Sequence, residues 1–459
     1  MLADTFPKVL FITPHGFNNV TGSGITFSNL FSGWPKARIA TIHNDPEPTT
    51  RDVCELYYKL GLDELAYTQP FSWISEKGKA AAVASELTVD KERNSPAISK
   101  KQDIWVRGLG SLVKMAKRLF IDVIGDSFPE RVNITSSLEE WITDFQPDII
   151  YTILGSNGMM KLVEDTADRF KLPIVVHFMD DWMDASHRKG ALAPLLRRQM
   201  LDRVNRIVGR ATCCLAISPA MKEAYEKRFN RRFEAYQNTI DFQYWSRCAN
   251  EGISRGAVAD IVYIGSIFPN AQLDTLILCC HAVKEINRLG VPAQLTISSP
   301  SGHGKRYKAE LQVDPSIKIV ETIRDDDTFY RRIAAADILL LPVNFDTDSI
   351  RFIKYSMPTK VPAYLTAGGP ILVCGPAEVA QVAYALSDKW GYVVNEKNQK
   401  MLVNAMVHLL EDNELRENLI RNARDVAQKN HDLKVVQKSF QGQIIEACRT
   451  SLENRTKYE

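Results

Sequence analysis

Apolar residues along the chain fall into two patterns. Short stretches rich in apolar and β-branched residues lie at 9–13, 38–43, 147–152, 173–177 and 211–217, then again at 260–265, 293–298, 317–321, 338–341 and 371–374. Each reads as a buried strand. Between them apolar positions recur every third or fourth residue, at 25–31, 138–145, 159–170, 192–209, 221–229, 273–289, 326–335, 400–410, 414–428 and 433–452. Those stretches read as amphipathic helices. Strand and helix alternate through both halves, which predicts α/β architecture with a parallel sheet in each. From 45 to about 99 the pattern weakens, so 45–125 reads as an insertion in the first half. A polar, glycine-containing stretch at 250–257 reads as a linker. The expected organisation is a domain at 1–245, a second at 258–435, and a last helix, 436–459.

A length of 459 residues suits two domains, and 45% hydrophobic with 24% charged residues suits a globular core. The net charge of +2 supplies no field that would draw nucleic acid. Eight cysteines show no ligand-like spacing, and Cys213-Cys214 and Cys279-Cys280 sit in apolar surroundings. They read as buried thiols in a reducing compartment, and with no signal peptide or membrane-length apolar run the expectation is a cytoplasmic protein.

Several loops follow strand ends, where α/β sheets hold ligands. After the first run comes Pro14-His15-Gly16, then Gly22-Ser23-Gly24 before a helix expected from Ile25. Its glycines would let backbone N–H groups approach an anion, or simply make a tight turn. Gly155-Ser156 follows the run at 147–152. Asp180 and Asp181 follow the run at 173–177, as a site or as a helix cap. Gly265-Ser266 follows the run at 260–265.

The richest stretch is 336–376. Its strand is expected to stop at Pro342, which offers no N–H. A polar loop with Asp346, Asp348 and Arg351 should follow. Pro358 biases Met357 to an extended conformation, so a helix can start beyond it with Thr359 as N-cap and stop at Gly368-Gly369. Free N–H groups, the hydroxyls of Ser356 and Thr359, and the ammonium groups of Lys354 and Lys360 would converge at that start. They suit a phosphate or diphosphate; the bland alternative is a surface turn. Elsewhere, 100–125 carries interspersed cations and helically spaced apolar residues. That fits a helix packed on its own domain, or one lying on an anionic membrane.

The residues Pro358, Thr359, Lys360, Tyr364, Leu365, Ala367, Gly368, Pro370, Ile371 and Leu372 carry a resemblance to the nucleotide-sugar segment of the GT-B glycosyltransferases, especially the retaining family 4. The run at 217–229 resembles the last strand–helix pair of that family's first domain. The resemblance implies two Rossmann-like domains facing across a cleft, with the last helix returning to the first domain. It implies a sugar moved from a nucleotide-diphosphate sugar to a hydroxyl of a glycan or lipid-linked acceptor, as in bacterial polysaccharide or glycolipid synthesis. It implies retention of configuration without a metal or cofactor.

On this reading Gly265, Ser266, Arg351, Lys354, Ser356, Thr359 and Lys360 hold the donor diphosphate. Gly22, Ser23, Gly24 and Ser156 line the acceptor side of the cleft. Asp180 takes the place of the family's usual His and Asp181 keeps its Asp; Asp180 would accept a bond from a sugar hydroxyl or act as a base. The family's two glutamates fall on Tyr355 and Ala363 here. The alternatives are a nucleotide-sugar-binding homologue without full catalysis, or a GT-B epimerase.

Overall fold

The structure, a computed structural model, describes residues 6–18, 21–45, 49–67, 130–188, 190–248, 256–323 and 325–456. The first half carries β1 (Val9–Ile12), β2 (Ile39–His43), β3 (Leu56–Lys59), β4 (Leu65–Tyr67), β5 (Glu130–Val132), β6 (Ile149–Thr152), β7 (Ile174–Phe178), β8 (Cys213–Ala216) and β9 (Glu234–Ala235). The second carries β10 (Ala259–Ile264), β11 (Ala293–Ser299), β12 (Ile317–Glu321), β13 (Ile338–Pro342), β14 (Ile371–Cys374) and β15 (Tyr392–Val394). Seven strands form one sheet in the order β3-β2-β1-β6-β7-β8-β9, and six form another in the order β12-β11-β10-β13-β14-β15. All pairings within both sheets are parallel; β4 and β5 pair antiparallel apart from them.

Each sheet grows outward from its first strand in one direction, then reverses. The reversal falls between β1 and β6 in the first sheet and between β10 and β13 in the second. Loops on either side of such a switch point diverge and leave a crevice at the strands' carboxyl ends. The central strands are apolar throughout because helices cover both faces: every residue of β1, β6, β7, β13 and β14 is buried.

One face of the first sheet is an aromatic cluster. Phe11 stacks on Tyr151 with centroids 4.6 Å apart, and Phe31 meets both edge-on. The last helix, Leu433–Thr456, leaves the second half and lays Phe440, Ile444 and Ala447 onto this cluster. Phe440 is fully buried, 5.1 Å from the Phe31 ring and 5.4 Å from Tyr236. A second apolar cluster is continuous from Met183 and Tyr225 of the first half to Ile353, Met357 and Val361 of the second.

The structure departs from expectation at several places. Leu56–Lys59, inside the expected insertion, is the edge strand of the main sheet; only half its positions are sheltered, so it carries no apolar run. The first helix starts at Gly22, not Ile25, because the Thr21 side chain caps it by accepting from Gly24 N. The strand does end at Pro342, as expected, although Pro342 itself pairs with Cys374 and Val343 N donates to the Cys374 carbonyl. The polar loop around Asp348 is a helix, Thr347–Ile353, capped by Asp346. Thr359 is not an N-cap. The helix is Val361–Ala367, and Lys360 holds the cap position without a side-chain cap bond. The stretch 100–125 lies outside the described residues. Among the described residues no helix is long and apolar enough to cross a membrane.

Candidate active site

Four connections leave the strand ends at the two switch points, and they meet. After β10 the chain turns at Gly265, whose φ is +146° and whose N–H donates to the Ser298 carbonyl. Lys360 reaches into this turn. Its Nζ donates to the Ile264 carbonyl at 2.9 Å and lies 4.0 Å over the Tyr263 ring. A Cβ on Gly265 would stand 2.9 Å from that Nζ, and the φ of +146° itself favours glycine there. Tyr364, one turn along the helix, accepts from Ile264 N through its hydroxyl, and the Tyr263 hydroxyl donates to the Ser266 carbonyl. Two tyrosines thus frame the Gly265-Ser266 turn. Lys360 has no carboxylate partner among the described residues, and burial pulls its ammonium down to about 7. A buried cation without an anion is costly by itself; this one stands just before helix Val361–Ala367, whose first N–H, on Val361, donates to the Pro358 carbonyl.

The first half supplies the facing wall. A methyl built on Gly22 would rest 3.4 Å from Thr359 Cγ2, so the start of helix Gly22–Phe31 abuts the residue before Lys360. Ser23 follows in the same first turn, and Gly24 lies so close over Asn18 that a Cβ there would meet its side chain at 2.5 Å. Three hydrogen bonds tie the segment 355–359 to the first half. Ser356 Oγ donates to Asp180 Oδ1 at 2.6 Å, Ser218 Oγ to the Tyr355 carbonyl at 2.8 Å, and Asn238 Nδ2 to the Thr359 carbonyl at 2.7 Å. Asn238 also accepts from Asn29 Nδ2, and its carbonyl lies 2.9 Å from His431 Nδ1. It therefore links the first helix, the donor-side helix start and the crossover to the last helix.

Asp180 and Asp181 separate in role. Asp181 is buried, 2% exposed, and accepts from the Tyr225 hydroxyl at 2.7 Å, with Arg228 at 3.8 Å. It precedes the short helix Trp182–Ala185 but makes no side-chain cap bond. Burial raises its carboxyl, opposed by the Tyr225 bond. Asp180 is half-buried and turned to the seam. Burial lifts it to about 6; the Ser356 hydrogen bond opposes that and the neighbouring Asp181 charge adds to it. Ser156 caps helix Asn157–Phe170 through Met159 N, so its hydroxyl is engaged in structure.

Lys354 and Arg351 do not join Lys360. Lys354 Nζ lies 5.6 Å over the ring of its neighbour Tyr355 and favours ionised Asp181. Arg351 is exposed and pairs with Asp348 on its own helix at 3.2 Å. Sequence reasoning assigned no role to Ser218, Tyr225 or Asn238, and their local sequence gives no sign of contacts so distant in the chain. Among the described residues no three His, Cys, Asp or Glu side chains gather to hold a metal ion.

No protein family matches the chain by sequence, and no characterised protein does. Solved structures do match in fold. Sucrose-phosphate synthase from Thermosynechococcus elongatus is similar at 13% identity, over 96% of this chain and 99% of its own, with a TM-score of 0.61. HepE of Anabaena in complex with UDP-glucose is similar at 12% identity, over 95% and 99%, with a TM-score of 0.58. WaaG, a glycosyltransferase involved in lipopolysaccharide biosynthesis, is similar at 14% identity, over 94% and 98%, with a TM-score of 0.54. The chain has the two-domain GT-B fold of these proteins, matched over 94–96% of its length.

Proposed function

We propose that the protein is a glycosyltransferase that moves a sugar from a nucleotide-diphosphate sugar to an acceptor hydroxyl. The observation that carries this is Lys360: a buried ammonium with no anion, set between Gly265 and a helix start, with a second helix start at Gly22 beside it. A diphosphate leaving group gathers negative charge as the glycosidic bond breaks. Oriented N–H groups and a fixed cation stabilise that charge most where it develops. Gly265, Ser266 and Lys360 form this corner; Ser356 and Thr359 border it, and Gly22 and Ser23 close it from the first half. No step in this reading calls for a metal. Asp180 receives a hydrogen bond from a sugar hydroxyl, with Ser356 holding it in place. The acceptor is a glycan or lipid-linked sugar on the cytoplasmic side of a membrane, as in polysaccharide or glycolipid assembly; the fold shared with WaaG supports this class. Retention of configuration rests on the family resemblance alone, and Tyr355 and Ala363 stand at that family's glutamate positions, so the reading is of transfer.

A thermal-shift series with UDP, GDP, ADP, CMP and dTDP sugars tests this. A donor bound by the native state raises the melting temperature by mass action, by about 2.7 kcal/mol of stability at a hundredfold excess over Kd. One base should give the shift, and Lys360→Ala should remove it. A donor bound but never turned over, with any acceptor or with water, would leave a binding protein instead.

A further inference from the structure

The turn after β10, from Gly265 to Leu273, contains no charged residue and no histidine. A histidine leans on it from the next strand end. β11 runs into the short helix Ser301–Arg306, whose third residue is His303. Its Nδ1 accepts from Ile267 N at 3.2 Å, and its ring meets the Phe268 ring edge-on with centroids 5.1 Å apart. Both contacts fix the ring to the turn, and the turn is itself fixed. Phe268 N donates to Gln272 Oε1, and the Phe268 carbonyl accepts from the N–H groups of Ala271, Gln272 and Leu273. The helix that carries His303 sits close on β12: a Cβ on Gly304 would meet Ile319 Cγ2 at 2.9 Å. These contacts decide the tautomer. A ring nitrogen that accepts an N–H carries no proton, so the proton of the His303 ring is on Nε2. Nε2 is therefore a donor. It has no hydrogen-bond partner among the described residues, and the residue is partly exposed.

We infer that the Nε2–H of His303 is a second hydrogen-bond donor to the diphosphate of the sugar donor, beside Lys360. This rests on the transferase reading above. One turn of chain holds both groups: Lys360 Nζ is bonded to the Ile264 carbonyl and His303 Nδ1 to Ile267 N. The departing diphosphate spreads its charge over several oxygens, more than a single ammonium can reach. A ring N–H already held by the backbone meets that charge without reorganising. A neutral donor also fits the site better than another cation would. Lys360 is a buried charge without an anion until the ligand arrives, and a second one next to it would add repulsion in the free protein. The His303 N–H adds a donor without adding that cost. A purely structural His303 would hold the turn through Nδ1 and leave Nε2 idle.

Two substitutions separate the ring nitrogens. His303→Asn keeps an acceptor near the Nδ1 position and removes the outer donor. His303→Gln keeps a donor near the Nε2 position and gives up the inner acceptor. Calorimetric titration of the full chain with UDP, GDP, ADP and dTDP is the test. For whichever diphosphate the wild type binds, His303→Asn should weaken Kd about 10–100-fold and His303→Gln by less than about fivefold, the difference being one hydrogen bond to a charged group. The reverse order, or equal losses, would mean that the ring only holds the turn and would overturn the assignment. No change in either variant overturns it as well. Should His303→Asn fail to fold, nitrogen NMR of the imidazole groups in the wild type decides, with His303→Gln identifying the signal. The bound diphosphate should shift the Nε2 resonance, and an unmoved Nε2 overturns the assignment. A wild type whose binding is lost in Lys360→Ala but unchanged in both His303 variants loses this assignment alone. A wild type that binds none of the four diphosphates loses the transferase reading, and the assignment with it.

Discussion

At the carboxyl edge of the first sheet Asp180, beside the buried Asp181, accepts from Ser356 of the second half. At the same edge of the second sheet stands Lys360 in the Gly265 turn, with no carboxylate partner among the described residues. The two sheets share a topology, first strand at the switch point and growth reversing there. Their chemistry is opposite in sign. A carboxylate stands on the first wall and a buried ammonium on the second. The shared fold makes the crevice, and on the proposed reading the difference in side chains gives the donor diphosphate the second wall and the acceptor the first.

The comparison can be broken most forcefully through what holds the halves together. Phe440 carries the last helix of the second half into the core of the first. Phe440→Ala should cost about 3–5 kcal/mol, read as a lower denaturant midpoint. Next comes the acceptor wall. Asp180→Asn keeps the shape and removes the charge, so turnover should fall about 10–100-fold, as for loss of a charge-assisted hydrogen bond, with nucleotide affinity unchanged. Equal losses in both would place Asp180 on the donor wall.

The donor wall should titrate. Lys360 holds its proton in the free protein only below about 7. Bound diphosphate favours the charged form, so affinity should be level below that pH and weaken above it, approaching tenfold per unit. Kd values for a nucleoside diphosphate between pH 6 and 9 check the sign. A flat profile would mean the ammonium is not used. The smallest effect belongs to Arg351. It points to Asp348 on its own helix, and Arg351→Ala should change affinity by less than about twofold, in line with an exposed pair.

Much of this was legible in the chain. Strands buried on both faces announce themselves as apolar runs, and their alternation with helices fixed the α/β class. The short helix after Lys360 was legible because a proline, a lysine and a glycine stop follow one another locally. What failed had non-local causes. Thr359 fits an N-cap by local rules, yet its carbonyl is taken by Asn238 and the helix begins one residue later. Leu56–Lys59 is an edge strand, half open to solvent, and so lacks the apolar run that marks the others. The Ser356–Asp180 bond joins residues 176 positions apart, which no local pattern announces.

The central claim is that a nucleoside diphosphate binds where Lys360 meets Gly265. Isothermal titration of UDP, and of GDP or ADP should UDP not bind, into wild-type and Lys360→Ala protein at pH 6.5 tests it most directly. The account predicts a single site in the wild type that weakens by at least about a hundredfold in the variant, the worth of a charge-assisted contact to a phosphate. Equal affinity in the two proteins would contradict it.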